Sequence, residues 1–199
     1  LDLHFDNYFW LEYLPKRYTE LKGLSHEEAV KALHEMYEQH HGSLNWYCLD
    51  FWSEALDLDI VELKREVSSK IAYRPHVKQF LKALKLKPLE LAIVTNAHQG
   101  SIGLKLEQTD LASYFDEIIC SHDFSLAKEQ DSFWTALHSA RPFDPEKTVF
   151  FDDNEDVLAA AKRFGIKHLF SIAQPDSQKA TREQSVFSLV RDFRDLLSG

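Results

Sequence analysis

Two adjacent acids, Asp152 and Asp153, end the apolar run from Val149 to Phe151. Neighbouring carboxylates repel each other and resist desolvation, so acids at the end of a buried strand need a cation. No lysine or arginine follows them before Lys162. Mg²⁺ suits such a site, because proteins bind it through one or two carboxylates, waters and a substrate phosphate. We therefore expect a divalent ion, and not a salt bridge, to hold the acid pair.

Two more groups of polar residues follow apolar runs. Thr95 and Asn96 come directly after residues 89–94, and Lys128 comes after residues 117–121. The hydroxyl and the amide can donate hydrogen bonds to an anion, although both residue types also favour simple turns. Lys128 precedes a predicted helix start, where a cation opposes the helix dipole, and this placement favours an anionic partner.

The apolar runs have the length and composition of buried parallel strands. They cover residues 89–94, 117–121, 148–151 and 168–172 and alternate with helical patterns. Open parallel sheets collect their functional groups at the carboxyl ends of the strands. The hydroxyl, amide, lysine and acid pair should therefore meet at one edge, where Mg²⁺, lysine and hydrogen-bond donors together would bind a phosphate group.

The chain divides into two predicted modules. Residues 5–72 are expected to form a small all-helical cap domain, in which Pro15 marks a helix break or start. Ser25 and Glu28 form a predicted capping box at the start of one of these helices. Residues 73–199 are expected to form an α/β core with a Rossmann-like three-layer parallel sheet.

Three helices are predicted within the α/β core. They cover residues 74–84, a crossover helix at 153–166 with Gly165 as its C-cap, and an amphipathic helix at 186–198 that closes the chain.

Composition narrows the functional classes. The 199-residue chain has a net charge of −9, which argues against a nucleic-acid-binding surface. It contains no apolar run of membrane-spanning length and its start does not look like a signal peptide, so we expect no membrane partner and a cytoplasmic location. Cys48 and Cys120 are expected to be reduced thiols, and the ten histidines lack zinc-ligand spacing.

Three segments resemble motifs II, III and IV of the haloacid dehalogenase (HAD) superfamily. They are "IVTNA" (93–97), "AKEQDSFW" (127–134) and "VFFDDNEDVLAAAKRFGI" (149–166). The helical module lies where that superfamily places a helical cap. Residues 1–10, "LDLHFDNYFW", and residues 44–60, "LNWYCLDFWSEALDLDI", are similar to the cap of bacterial purine 5′-mononucleotidases that hydrolyse GMP and IMP.

The resemblance implies roles for the residues at the strand ends. Thr95 would be the motif II hydroxyl with Asn96 beside it, and Lys128 would hold the phosphate and the charge of the nucleophile. Asp153 would bind Mg²⁺, and Asp152 would be a second ligand or would support the first. The implied reaction is phosphomonoester hydrolysis through an aspartyl-phosphate, with a purine mononucleotide as the small-molecule substrate and a monomeric or homodimeric enzyme.

The helical module would select the leaving group. Asn45 and Asp50 are candidates for contacts with the purine edges. An aromatic cluster could stack on a purine or could instead pack the core of the module; its members are Tyr8, Phe9, Trp10, Trp46, Tyr47, Phe51 and Trp52.

The sequence departs from the superfamily pattern in two places. No DxDGT nucleophile motif occurs, and we expect it on a strand upstream of Leu1, since loss of that central strand would leave two buried strands with unpaired edges. Asp2 and Asp6 are poor substitutes, because neither follows an apolar strand and no glycine permits the tight turn. Many members also carry an acid where this chain has Val157, and Asp156 is one residue early and is left unassigned.

The same residues also allow other functional interpretations. A phospho-receiver domain uses the same groups, but places its acid pair on the first strand. A non-catalytic phospho-ligand-binding relative could have lost motif I, and a phosphosugar phosphatase or mutase would differ mainly in the cap. A dehalogenase is disfavoured, since metal-free hydrolysis at carbon does not need Asp152 and Asp153.

Overall fold

Residues 4–70 form helices and short connections in the computed structural model, which describes residues 1–197. The α-helices are α1 (His4–Tyr8), α2 (Leu14–Lys22), α3 (His26–His40), α4 (Leu44–Tyr47), α5 (Leu49–Leu56) and α6 (Ile60–Glu66), followed by a 3₁₀ turn at Ser68–Lys70. A π-helical turn, Phe9–Tyr13, joins α1 to α2. Pro15 lies in the first turn of α2, directly after the π-helical turn.

The predicted start of α3 is confirmed. Ser25 Oγ accepts a hydrogen bond from the Glu28 backbone N–H at 3.3 Å, and Glu28 Oε2 accepts one from the Ser25 N–H at 2.8 Å. This reciprocal capping box satisfies two N–H groups that the first helical turn leaves unpaired.

The helical module packs around one cluster of buried apolar side chains. Phe9, Leu33, Trp52 and Ile60 belong to it, each with no more than 1% of its surface exposed. Leu104, which follows in the α/β part of the chain, belongs to the same cluster. The helices therefore share apolar contacts with the core, and the division at residue 72 remains a prediction.

The rest of the chain alternates between strands and helices. In chain order it contains α7 (Val77–Lys85), β1 (Ala92–Thr95), α8 (Gln99–Gln108), β2 (Glu117–Cys120), α9 (Asp131–Ala140), β3 (Val149–Asp152), α10 (Glu155–Phe164), β4 (His168–Ile172) and β5 (Ser188–Val190). Short 3₁₀ segments lie at Leu111–Tyr114, Ser121–Phe124 and Phe193–Leu197. Every strand pairing is parallel, which confirms the predicted α/β class.

The strands form two separate groups. β1 pairs with β2, whereas β3, β4 and β5 form a second sheet in that order. Within residues 1–197, β1 pairs only with β2 and β3 only with β4, so each has one edge without a strand partner. β2 and β5 each have one such edge as well, and a central strand upstream of Leu1 remains a prediction.

The prediction of an amphipathic helix at 186–198 is wrong over the described residues. Residues 188–190 pair with β4 through the register Ser171 to Leu189, and Phe193 packs 5.3 Å from the Phe80 ring. The edge of β4 offers backbone groups that need partners, and this non-local pairing outweighs the helical periodicity of the segment. Residue 198 lies outside the described residues.

The predicted end of α10 is confirmed, because Gly165 adopts a left-handed φ of 117° as the C-cap. Cys48 and Cys120 are both free thiols. Among residues 1–197, no helix combines the length and apolar character needed to cross a membrane.

Candidate active site

The ends of β1 and β3 meet through a lysine. Lys128, from the loop before α9, donates from Nζ to the Val94 carbonyl at 3.2 Å and to Asp152 Oδ2 at 2.5 Å. Thr95 and Asn96 directly follow Val94, so they lie at the same edge as the acid pair. The structure thus brings together the groups that the sequence places at three strand ends, as the parallel arrangement requires.

Lys128 is held in place on several sides. Its backbone N–H donates to Asn96 Oδ1 at 2.9 Å, and its carbonyl accepts a bond from Trp134 Nε1 at 2.8 Å. The side chains of Lys128 and Asp152 are only 9% and 7% exposed. A buried, fixed ammonium group can stabilise negative charge with little reorganisation.

The expectation that no salt bridge holds the acid pair is wrong for Asp152. Its Oδ2 binds Lys128, and its Oδ1 accepts the backbone N–H of Asn154 at 2.9 Å. The lysine lies 24 residues away in sequence, so local inspection around the acids cannot find it. Asp152 is therefore neutralised by the protein itself.

Asp153 has a different environment. Burial raises the pKa of its carboxyl group, the charge of Asp152 raises it further, and Lys128 only partly opposes these effects. Arg182 contributes Nη2 to the backbone carbonyl of Asp153 at 3.2 Å, and Nη1 to Glu155 at 2.9 Å. These two bonds hold the loop in place. The negative charge of the Asp153 carboxylate is only partly offset by Lys128, which is the condition expected of a carboxylate that binds a cation.

The donor set fits Mg²⁺. Among the described residues, no three or more His, Cys, Asp or Glu side chains are arranged so that they could hold a metal ion. A structural zinc site uses four such ligands, so the residues here do not match one. The carboxylates of Asp152 and Asp153 are the type of oxygen donor with which proteins bind Mg²⁺. Asp156 is exposed and Val157 is buried in the core, so neither adds a carboxylate to this edge.

Glu129 is a site residue that the sequence did not reveal. Its Oε1 accepts the Tyr47 hydroxyl at 2.5 Å and Asn154 Nδ2 at 3.1 Å, while its Oε2 accepts Asn96 Nδ2 at 2.9 Å. Burial and the charge of Glu129 raise the pKa of the Tyr47 phenol, which therefore remains a donor. The only local signal was its position next to Lys128.

A cleft of about 1420 Å³ opens between the two sheets and the helical module. Its walls include all the groups at the strand ends, namely Thr95, Asn96, Lys128, Asp152 and Asp153. From the helical module they include Trp10, Trp46, Tyr47 and Trp52. The cleft wall therefore combines these polar groups with aromatic side chains of the helical module and with apolar side chains of the strands, such as Ile93, Ile119 and Phe150.

The aromatic cluster mainly packs the helical module. Trp52 is 1% exposed and lies 5.3 Å from the ring of Tyr37 and 5.8 Å from that of Trp10. Trp10 and Trp46 are partly buried and also face the cleft. The core-packing interpretation thus applies to Trp52, whereas Trp46 keeps a surface that a planar ligand can contact.

Asn45 and Asp50 lie outside the cleft wall. Both are exposed, and neither is part of the cleft wall in the structure. Asp50 Oδ2 lies 3.5 Å from His98 Nε2 instead. Their proposed contacts with a purine remain predictions that this arrangement does not favour.

The two acids near the start of the chain have structural partners. Asp2 accepts backbone N–H groups from His4 at 2.9 Å and from Ser177 at 3.1 Å. Asp6 lies 2.8 Å from Lys64 Nζ and 2.6 Å from Lys105 Nζ. These bonds agree with the view that neither acid is the nucleophile.

Comparisons with known proteins identify the relatives of this chain. The GMP/IMP nucleotidase YrfG of Escherichia coli is 36% identical over 197 residues, which cover 99% of this chain and 89% of the relative. The HAD phosphatase of Thermococcus onnurineus has a similar structure, with a TM-score of 0.77, 22% identity and coverage of 96% and 91%. The HAD-hydrolase YfnB of Bacillus subtilis, solved bound to magnesium, gives a TM-score of 0.61 at 17% identity, with coverage of 92% and 88%.

The family assignment follows from a direct match. Residues 3–170 match the sequence profile described as haloacid dehalogenase-like hydrolase. This match includes all three motifs at the strand ends, and the full-length similarity to a nucleotidase agrees with the predicted phosphatase class. The chain belongs to the haloacid dehalogenase-like hydrolase family, as its motifs predicted.

Proposed function

We propose that the protein is a Mg²⁺-dependent phosphomonoester hydrolase that acts on purine 5′-mononucleotides, with GMP and IMP as substrates. The observation that carries the proposal is the buried pair of Lys128 and Asp152, which joins the ends of β1 and β3 beside Asp153. The 36% identity to a GMP/IMP nucleotidase supports the choice of substrate.

Thr95 and Lys128 at the strand ends each offer a hydrogen-bond donor to a bound phosphate group. Thr95 Oγ1 accepts the backbone N–H of Ala97 at 3.0 Å, which leaves its O–H to donate to a phosphoryl oxygen. Lys128 Nζ carries three protons, and two are used by Val94 and Asp152. The third is available to a phosphoryl oxygen, where the ammonium charge stabilises the negative charge of the transferring group.

Asp153 is the carboxylate best placed to hold Mg²⁺, because Asp152 already has two partners. When bound, the ion supplies positive charge that offsets the repulsion between carboxylates and phosphate. Asp152 then contributes chiefly by orienting Lys128.

Hydrolysis breaks the ester P–O bond and transfers a proton to the departing ribose oxygen, while an attacking oxygen forms the new P–O bond. In the aspartyl-phosphate route that oxygen belongs first to a carboxylate and then to water. No residue of the printed sequence is assigned as that nucleophile, and an upstream aspartate remains a prediction. The cytoplasmic location and the monomeric or homodimeric state also remain predictions.

Phosphate release by the full-length protein tests the proposal. GMP, IMP, AMP, pyrimidine 5′-mononucleotides and sugar phosphates would be compared, each with MgCl₂ and with EDTA. We expect Mg²⁺-dependent turnover that favours GMP and IMP. Preferred turnover of sugar phosphates would retain the mechanism and reject the substrate, and a folded protein that releases phosphate from no substrate would reject the hydrolase.

Asp153→Asn and Asp156→Asn form a matched pair for the metal site. Both remove one negative charge from the same loop and helix start, but only Asp153 lies at the site. We expect loss of Mg²⁺-dependent turnover in Asp153→Asn and near wild-type turnover in Asp156→Asn. Equal effects of the two changes would contradict the assignment of Asp153.

A further inference from the structure

Three separate segments of the chain donate hydrogen bonds to one carboxylate. Glu129 accepts Tyr47 Oη from α4, Asn96 Nδ2 from the end of β1 and Asn154 Nδ2 from the loop after β3. The donors lie 82, 33 and 25 residues away in sequence. Glu129 therefore joins the helical module to both strand ends that form the phosphate site.

On the β1 side, Glu129 acts through an amide. Asn96 Nδ2 donates to Glu129, so the opposite end of the same amide, Oδ1, is turned to accept the Lys128 backbone N–H at 2.9 Å. A carboxylate can only accept hydrogen bonds, and this fixes which end of the amide faces it. Glu129 thus orients Asn96, and Asn96 holds Lys128.

On the β3 side, Glu129 acts through a second amide. Asn154 Nδ2 donates to Glu129, Asn154 Oδ1 caps α10 by accepting the Asp156 N–H at 2.9 Å, and the Asn154 N–H binds Asp152 Oδ1 at 2.9 Å. The conformation of the loop that carries the acid pair therefore depends on a bond to Glu129.

The third donor comes from outside the α/β core. Tyr47 lies on α4, its ring is partly buried and it forms part of the cleft wall. Its hydroxyl reaches Glu129 only when α4 lies against the loop before α9, because hydrogen bonds require heavy-atom distances of about 3 Å. The placement of the helical module and the placement of Glu129 are thus linked through one bond.

We propose that Glu129 is a positioning residue for the phosphate site and that Tyr47 controls it. The hydrogen bond from Tyr47 holds Glu129 where it orients Asn96 and Asn154, so the site is aligned when the helical module covers the cleft. The inference rests on the proposed function for its choice of substrates. It adds a residue pair whose effect on turnover does not require contact with the nucleobase.

Tyr47→Phe and Glu129→Gln test the link in the full-length protein. The control is Tyr13→Phe, which also removes a tyrosine hydroxyl that donates to a glutamate, here Glu66, but lies away from the cleft. Turnover would be measured with GMP and with p-nitrophenyl phosphate, which lacks a nucleoside. We expect kcat for both substrates to fall about ten- to hundredfold in Tyr47→Phe and Glu129→Gln, with KM for the two substrates changed by the same factor, and no change in Tyr13→Phe.

A double-mutant cycle separates positioning from independent contacts. If Tyr47 acts through Glu129, the double variant should lose little more kcat than Glu129→Gln alone. Additive losses would overturn the proposal. So would a rise in KM for GMP alone, which would make Tyr47 a nucleoside contact, or a fall in melting temperature without a fall in kcat, which would make the bond purely structural.

Binding of inorganic phosphate with MgCl₂, measured by titration calorimetry, distinguishes the two proposals. Weaker phosphate binding in Tyr47→Phe and Glu129→Gln than in Tyr13→Phe would support the positioning role even if the wild type released phosphate from no substrate. Unchanged phosphate binding together with unchanged kcat would overturn the positioning role, while wild-type turnover would leave the hydrolase in place.

Discussion

Lys128 Nζ lies 2.5 Å from Asp152 Oδ2 and 3.2 Å from the Val94 carbonyl, and so connects two strands that share no backbone hydrogen bond in the described chain. Both charged side chains are buried. The pair therefore has a structural role across the cleft in addition to its proposed role at the phosphate.

Lys128→Met should destabilise the protein, because it leaves Asp152 buried beside Asp153 without its cation. Breaking a buried pair costs about 3–5 kcal/mol. Urea unfolding would measure the loss, and Lys147→Met, at an exposed lysine that pairs with Asp144, should change stability by less than about 1 kcal/mol. The double variant Lys128→Met/Asp152→Asn should regain stability without regaining activity; continued instability would contradict this account.

Asp153→Asn should stabilise the metal-free protein at neutral pH. Because burial and then Asp152 raise the pKa of Asp153 in the folded state, ionisation there costs stability. The cost is absent below the ordinary carboxyl pKa and develops as pH rises from that value through the raised pKa. Melting temperatures in EDTA across this pH range should show the wild type falling behind the variant.

Addition of Mg²⁺ should make the wild type more stable than Asp153→Asn. A ligand that binds only the folded state stabilises it by about 2.7 kcal/mol at a hundredfold excess over its Kd. We expect MgCl₂ to raise the melting temperature of the wild type and to leave that of Asp153→Asn nearly unchanged. An equal rise in both proteins would place the ion elsewhere.

Asp6→Asn should destabilise the protein more than Lys64→Met does. Asp6 holds two lysines, Lys64 and Lys105, and Lys64 is only 1% exposed. Removing the acid leaves two cations together without a counter-ion, whereas removing Lys64 leaves one balanced pair. We expect a loss of about 3–5 kcal/mol for Asp6→Asn and a smaller loss for Lys64→Met, measured by urea unfolding.

The same acid should affect stability at low pH. Burial opposes ionisation of Asp6, but Lys105 and Lys64 outweigh it and lower its pKa. Its contribution is therefore complete above the ordinary carboxyl pKa and is lost as pH falls below that value towards the lowered pKa. The stability of Asp6→Asn should depend less on pH in this acid range, and parallel curves would contradict the prediction.

Trp46→Leu and Trp52→Leu separate ligand contact from core packing. Trp52 is 1% exposed, so its truncation should cost about 3–5 kcal/mol of stability. Trp46 is partly buried and faces the cleft. Its truncation should raise KM for GMP by about tenfold, as loss of a base-stacking contact does, and should leave kcat for p-nitrophenyl phosphate unchanged. Loss of stability alone in Trp46→Leu would assign it to the core.

Local structure followed closely from local sequence. The capping box of Ser25 and Glu28 and the glycine C-cap at Gly165 involve residues at most four positions apart, so their hydrogen bonds are encoded where they occur. The helix prediction for 186–198 is wrong over the described residues because residues 188–190 pair with β4, which lies earlier in the chain. Helical periodicity in that segment could not report an edge supplied by another element.

The sequence alone determined which residue types stand at the strand ends. Thr95, Asn96, Lys128 and the acid pair each follow an apolar run, and parallel strands bring their carboxyl ends to one edge whatever the details of packing. That reasoning predicts a phosphate and Mg²⁺ site, and the resemblance of three segments to known motifs indicates the family.

Only the tertiary structure decided how these groups are paired. It shows that Asp152 pairs with Lys128, that burial and the neighbouring Asp152 raise the pKa of Asp153, and that Glu129 receives its donors from three distant segments. Such contacts depend on distances of about 3 Å between residues far apart in sequence, and on burial, which sets the cost of leaving a charge unpaired. Neither these interatomic distances nor the burial of the groups can be derived from the spacing of residues along the chain.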